Sequence, residues 1–381
     1  MPQEKNFKCY PREQEILSGL ILYYCRYVGP RTWKALMRRY GSPAGAMEAG
    51  GRQWVAESLA TERQIKSLRG EQAYRAAEQD AELIAKKGYN LLIWTDPGYP
   101  DLLRNIPTPP LFLYFKGNSD LLNKTRLAVV GSRKCSGYGL DMARNICSGL
   151  SENGVSIVSG FAAGIDREAH YAGLSGAGSS VAVLGTGIDL VYPAANRDLW
   201  IKMVEKGLIL SEFPPGTEPE ARNFPHRNRI ISGLSNGVLV VQGTLKSGSL
   251  ITASLALDQG REVFAVPGAV NMPGYEGCNQ LIRDGAYLVR SFEDVLEVMG
   301  CSLHDPGVSP ENETGLFVPE TELDEQESII AHILAREKDV HIDDLTRETG
   351  MDSSLVSRIL TGLEIKGVVR RAPGMYYNLA V

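Results

Sequence analysis

The chain has 381 residues, 43% of them hydrophobic, with a formal net charge of −5 and a pI near 5.7. That length predicts two or three domains, and the hydrophobic content is enough for a sizeable core. The acidic balance excludes a protein that coats nucleic acid with its whole surface, so any nucleic-acid site must be a local basic patch. Six cysteines (Cys9, Cys25, Cys135, Cys147, Cys278, Cys301) form no C-x-x-C pair and have no histidine at ligand spacing. They make neither a zinc site nor a disulfide scaffold, and free thiols in a reducing cytoplasm are expected. The opening residues carry no apolar signal-peptide core, and no apolar run is long enough to span a membrane.

Residues 12 to 88 are predicted helical. Ile16, Leu20 and Ile21 share one face, extended by Tyr23 and Tyr24. Val28-Gly29-Pro30-Arg31-Thr32 then turns the chain, and Trp33, Leu36, Met37 and Tyr40 give the next apolar stripe. Helix, glycine hairpin, helix resembles a helix-hairpin-helix unit, a binder of the DNA backbone; a plain helical bundle has the same pattern. A long amphipathic helix is expected over residues 71–87. Leu91–Trp94 and Leu111–Phe115 read as short strands. With the proline-rich turns between them they form a connector that packs onto the next domain.

Residues 126 to 299 repeat one theme. Strands are expected at Leu127–Val130, Val155–Val158, Val181–Leu184, Leu208–Leu210, Val238–Val241 and Val263–Val266, with helical patterns between most of them. This alternation predicts an α/β fold with a Rossmann-like, doubly wound parallel sheet over residues 89–300. Residues 301–326 carry Asp305, Glu311, Glu313, Glu320, Glu322, Asp324 and Glu325 with no Lys or Arg, which reads as an acidic linker. Residues 327–381 predict three helices and a β-hairpin, a winged helix.

Candidate chemistry gathers where the strands end. Leu127–Val130 is an unbroken apolar run followed by Gly131-Ser132-Arg133-Lys134 and a helical pattern. Strand, glycine turn and helix aim backbone N–H groups at an anion, and the two cations make that anion a phosphate. Ser159–Asp166, Gly185–Asp189 with Tyr192-Pro193, Phe224–Arg229 and Gln242–Ser249 are further polar, glycine-containing turns of the same sheet. In a parallel sheet all strand ends fall on one edge. Arg133 and Lys246 sit in glycine and serine turns where folding needs no long charged side chain. Asp166 reads as a turn or cap residue, His170 as packing, Asp189 as a loop-orienting residue, and Arg229 as an internal ion-pair partner.

Familiar nucleotide sites do not fit. Gly131, Gly137 and Gly139 lack dinucleotide spacing, and the strand ending Val158-Ser159-Gly160 lacks the acid for a ribose. Gly243–Ser249 has no lysine after its second glycine, unlike a Walker A loop. The sheet resembles nucleoside-monophosphate phosphoribohydrolases, yet only Gly243-Thr244 matches their marker and no catalytic Glu follows. A phosphoribohydrolase-type enzyme and a transcriptional regulator remain as alternatives.

Several motifs together resemble a bacterial family, DNA-processing protein A (DprA, also called Smf). They are Gly131-Ser132-Arg133, Ser159-Gly160-x-Ala162-x-Gly164-Ile165-Asp166, Gly187-Ile188-Asp189-x-x-Tyr192-Pro193 and Phe224-Pro225-x-Arg227-Asn228-Arg229-Ile230-Ile231. Ser247-Gly248-Ser249-Leu250-x-Thr252-Ala253, Val266-Pro267-Gly268 and the Gly277–Ala286 segment complete the set. Gln242-Gly243 departs from the Glu-Ala expected before the serine-rich turn. The resemblance implies a non-enzymatic, homodimeric protein without cofactor or membrane association. It would bind single-stranded DNA and load the RecA recombinase during natural transformation. Residue by residue, it implies that Arg133 and Lys246 hold phosphates, with Ser247 and Gly248 in the same turn. Ser132 and the Gly160–Gly164 backbone, Ala163 included, would donate hydrogen bonds. Phe161 would stack a base at the rim, and Arg227 and Asn228 would complete the pocket.

Overall fold

The structure is a computed structural model and describes residues 10–300, 324–336, 340–366, 368–372 and 375–379. Two compact units divide between residues 304 and 305.

The first unit opens with five helices: α1 (Arg12–Tyr24), α2 (Pro30–Tyr40), α3 (Pro43–Ala56), α4 (Glu62–Leu68) and α5 (Glu71–Lys87). Next come β1 (Asn90–Ile93), the short α6 (Asp101–Arg104) and β2 (Phe112–Gly117). The alternating part runs β3 (Arg126–Gly131), α7 (Gly137–Glu152), β4 (Ser156–Ser159), α8 (Ile165–Gly173), β5 (Ser180–Val183), α9 (Arg197–Lys206) and β6 (Leu208–Ser211). It continues with α10 (Asn223–Leu234), β7 (Gly237–Gln242), α11 (Gly248–Asp258), β8 (Glu262–Ala265), α12 (Glu276–Arg283), β9 (Tyr287–Leu288) and α13 (Phe292–Met299).

All nine strands form one sheet, in the order β1-β2-β6-β5-β4-β3-β7-β8-β9. From β6 to β9 every pairing is parallel. Unbroken apolar strands suit this because both faces are covered. Leu127 and Val129 of β3 face the layer of α7, α8 and α13, whereas Ala128 and Val130 face that of α10 and α11. The chain leaves β3 toward β4 and returns beside it as β7, which makes the β3/β7 boundary the topological switch point.

The stretch expected as a connector is instead part of the sheet. β1 pairs antiparallel with β2, and β2 antiparallel with β6. Nor do the five helices stand apart. Leu20, Leu36 and Trp54 share one buried core with Phe112, Tyr114, Ala182 and Met203. The helical and α/β segments are therefore a single compact unit.

The second unit contains α14 (Glu325–Arg336), β10 (Val340–His341), α15 (Ile342–Thr349), α16 (Ser353–Ile365), β11 (Val369–Ala372) and β12 (Tyr376–Leu379). Its sheet order is β10-β12-β11, and Ile330, Leu345, Val356, Leu360 and Tyr377 fill its core. Three helices against a small sheet make a winged helix. Most of the acidic linker (301–323) and the Pro373-Gly374 turn lie outside the described residues.

Candidate nucleic-acid interface

An open cleft of about 590 Å³ lies at the carboxyl ends of β3 and β7. The β3–α7 loop contributes Gly131, Ser132 and Arg133; α10 contributes Phe224, Arg227 and Asn228; the start of α11 contributes Ser247, Gly248 and Ser249. Six of the residues expected at the site thus meet there: Ser132, Arg133, Arg227, Asn228, Ser247 and Gly248. Lys246 is exposed one residue before the lining, in the same loop.

The loops are built for close approach. Gly164 has φ +79°, and a Cβ there would lie 2.4 Å from the carbonyl oxygen of Ser132 and 2.7 Å from that of Arg133. Only glycine allows this contact, which Ile165 N–H reinforces by donating to Ser132 O at 3.2 Å. Ser247 caps α11, its Oγ accepting from Ser249 N–H and sharing a 2.7 Å bond with Ser249 Oγ. A Cβ on Gly248 would meet nothing within 4 Å, so the backbone there is open to a ligand.

Arg133 is exposed, with its guanidinium carbon 5.5 Å from the centre of the Phe224 ring. Arg227 is different. It is 4% exposed; Nη1 donates to Gly160 O at 2.6 Å and to Val183 O. Burial lowers its pKa to about 10, with Asp166 opposing the shift. Arg227 lines the floor of the cleft, and two carbonyls already engage its Nη1, so it is not a free cation.

Asp166 accepts from Gly160 N–H at 3.1 Å and from Ala162 N–H at 3.5 Å, the turn role expected for it. Burial raises its carboxyl above the ordinary range, and Arg227 opposes this. Gly160 is squeezed between these groups, since a Cβ would lie 2.7 Å from both Arg227 Nη1 and Asp166 Oδ2. Its N–H is therefore engaged and does not face a ligand, which corrects its expected place among the backbone donors. Ala163 is exposed and Gly164 half-buried, and neither N–H has a protein partner among the described residues.

Phe161 is the clearest departure. It is fully buried, with its ring 5.9 Å from His170 and 6.0 Å from Trp200. Its φ of +58° turns the side chain inward, so it cannot stack a base at the rim. His170 packs below it. Nε2 accepts from Phe161 N–H at 3.2 Å and Nδ1 donates to Ser180 Oγ at 2.7 Å. Burial lowers the imidazole pKa to about 3, with Arg227 adding to the effect.

The aromatic surface of the cleft comes instead from Tyr192, 40% exposed, and Phe224, with ring centres 5.7 Å apart. Both stand in the motifs quoted above, each directly before a proline, and an aromatic within a motif that also holds glycine or arginine was the available signal. Arg229 pairs with buried Glu212, as an internal partner should. Burial pushes Glu212 up, but Arg229 and His226 outweigh it and leave the carboxyl below its ordinary value. Asp189 accepts from Gly216 N–H at 2.8 Å and so orients a loop. In the winged helix Ser354, Ser357, Arg358 and Arg370 are exposed, while the side chain of Arg371 lies outside the described residues.

The family model for DNA recombination-mediator protein A matches residues 90–300, the whole sheet with its cleft. The chain belongs to this family. The DprA winged helix domain model matches residues 318–375. Protein Smf of Escherichia coli strain K12 is 42% identical over 286 residues, covering 74% of this chain and 75% of that protein. The DNA processing protein DprA of Streptococcus pneumoniae R6 is 47% identical over 201 residues, covering 53% of this chain and 71% of that one. The X-ray structure of DNA processing protein A from Streptococcus pneumoniae superposes with a TM-score of 0.66 at 36% identity, covering 76% of this chain and 98% of that one. DNA processing protein A from Helicobacter pylori, which binds single-stranded DNA, gives 0.52 at 28% identity, covering 57% of this chain and 97% of that one. As a member of the family the chain is a DNA-processing protein, and none of its described helices is long and apolar enough to cross a membrane.

Proposed function

We propose that this chain binds single-stranded DNA along the β3/β7 edge without cutting it, acts as a homodimer, and loads RecA onto incoming DNA in natural transformation. The observation that carries the reading is the pairing of exposed Arg133 with the open α11 start at Ser247 and Gly248 in one cleft. Exposed Tyr192 supplies an aromatic face for a base, the combination single-strand binders use. A binding role rather than a chemical one is supported by the titratable groups of the floor. Asp166, His170 and Arg227 are buried and already bonded to backbone. The Helicobacter pylori relative, which binds single-stranded DNA, lends further support.

The test is a gel shift with single strands and duplex of one sequence, with and without RecA. Single strands should bind more tightly, and Arg133→Ala and Lys246→Ala should each weaken binding while the protein stays folded. The log–log salt slope should flatten by about 0.7 for each phosphate that the variant leaves unneutralised. Unchanged affinity in both variants would overturn the cleft assignment. Free base released from AMP would instead favour the phosphoribohydrolase reading.

A further inference from the structure

Far along the chain from the cleft residues, the α1–α2 turn holds an arrangement that internal packing does not explain. Tyr27 has φ +71°, which a tyrosine rarely adopts, and the residue is 46% exposed. The guanidinium carbon of Arg63 lies 3.8 Å from the ring centre, and that of Arg26 lies 5.0 Å from it. Gln64 fixes the turn, with Nε2 donating to Tyr27 O at 2.8 Å and to Thr32 Oγ1 at 3.0 Å. A capping box with Thr61 in turn anchors Gln64 at the start of α4. Arg26, Arg31 and Arg63 are all exposed, and among the described residues none of the three forms an ion pair. Lys66 and Arg69 extend the exposed positive charge along α4. Over residues 10–88 Lys and Arg outnumber Asp and Glu, although the chain as a whole carries −5.

Two guanidiniums held against one ring repel each other, and the turn keeps its tyrosine in an unfavourable backbone state. A polyanion relieves the first cost and gives the second a purpose. A guanidinium stacked on an aromatic presents a flat face to a base and an N–H edge to a phosphate. Several cations spaced over α2 and α4 match a chain of phosphates better than one small anion. Resting on the single-strand reading above, we infer that Arg26, Tyr27 and Arg63 form a second binding point for the same DNA strand, engaged only when the strand extends beyond the cleft.

The experiment uses the full chain and fluorescence anisotropy with labelled oligo-dT of about 8 and about 40 nucleotides, below and above one module's reach. Arg26→Ala/Arg63→Ala should weaken binding of the long strand about tenfold and flatten its salt slope by about 1.4, the amount for two phosphates. It should leave the short strand and the thermal melt unchanged, and Arg26→Lys/Arg63→Lys should restore the slope without the full affinity. Long-strand affinity and slope equal to wild type would overturn the inference and leave the patch to an acidic protein partner. Arg133→Ala run in parallel keeps the two readings apart. If it alters neither strand's binding the cleft reading fails, whereas the double variant reports on the patch alone.

Discussion

The mouth and the floor of the cleft use the same residue type to opposite ends. Arg133 and Arg227 lie 5.5 Å and 5.9 Å from the centre of one Phe224 ring. Arg133 is exposed, whereas Arg227 is buried and donates to Gly160 O and Val183 O. One cation is available to a phosphate; the other ties β4, β5 and α10 together. Counting positive charges in a motif therefore overstates the charge a ligand meets, and the floor is what keeps the mouth in shape.

The strongest way to break this contrast is at the floor. Arg227→Ala leaves two carbonyls without their donor and Asp166 without its nearby cation. It should cost about 3–5 kcal/mol, read by urea denaturation. A variant of full stability that merely binds DNA poorly would show that Arg227 belongs with Arg133. Next is Gly164→Ala, where the added Cβ meets the Ser132 and Arg133 carbonyls from a positive φ. A loss of about 1–3 kcal/mol is expected, with weaker DNA binding because the Arg133 loop must shift.

His170 sharpens the contrast through pH. Its folded pKa of about 3 lies below the ordinary value of 6.5, so the unfolded chain binds more protons between these limits. Stability from this group is full above pH 6.5 and falls as pH drops toward 3, by at most about 1.4 kcal/mol per pH unit. Urea midpoints at about pH 7, 6 and 5 should show that decline, and His170→Gln should flatten it. An unchanged slope in the variant would remove His170 from the floor's support. The smallest change in stability belongs to the mouth: Arg133→Ala should stay within about 0.5 kcal/mol of wild type while DNA affinity falls.

The six parallel strands β3 to β8 were legible because burial on both faces leaves a short, unbroken apolar run in each, with glycine close behind most of them. β1 and β2 read as a connector because their pairing is set by β6, far along the chain, and prolines crowd the segment between them. β9 has two residues and no pattern to detect. In the site, residue types marked the loops correctly, but not which way side chains point. Phe161 between Gly160 and Ala162 looks like a rim aromatic until its φ of +58° is known. Arg227 and Arg229, two apart on α10, diverge in the same way. Helical rotation carries one to Gly160 and the other to Glu212.

Gln242, where the family's pattern led one to expect glutamate, has a consequence for the timing of binding. Its carbonyl accepts from Ser132 N–H at 2.8 Å, and its side-chain Oε1 accepts from Ser136 N–H at 2.9 Å and Ser136 Oγ–H at 3.1 Å. One residue therefore clamps both ends of the segment that carries Arg133 and Lys134. With both ends held, association of a ligand with this segment is expected to need no slow folding step, which stopped-flow mixing would check. Its rate should follow diffusion and ionic strength in a single phase. A carboxylate could accept the same bonds but would bury a negative charge behind the loop, since Gln242 is only 4% exposed. The neutral amide holds the loop without that buried charge.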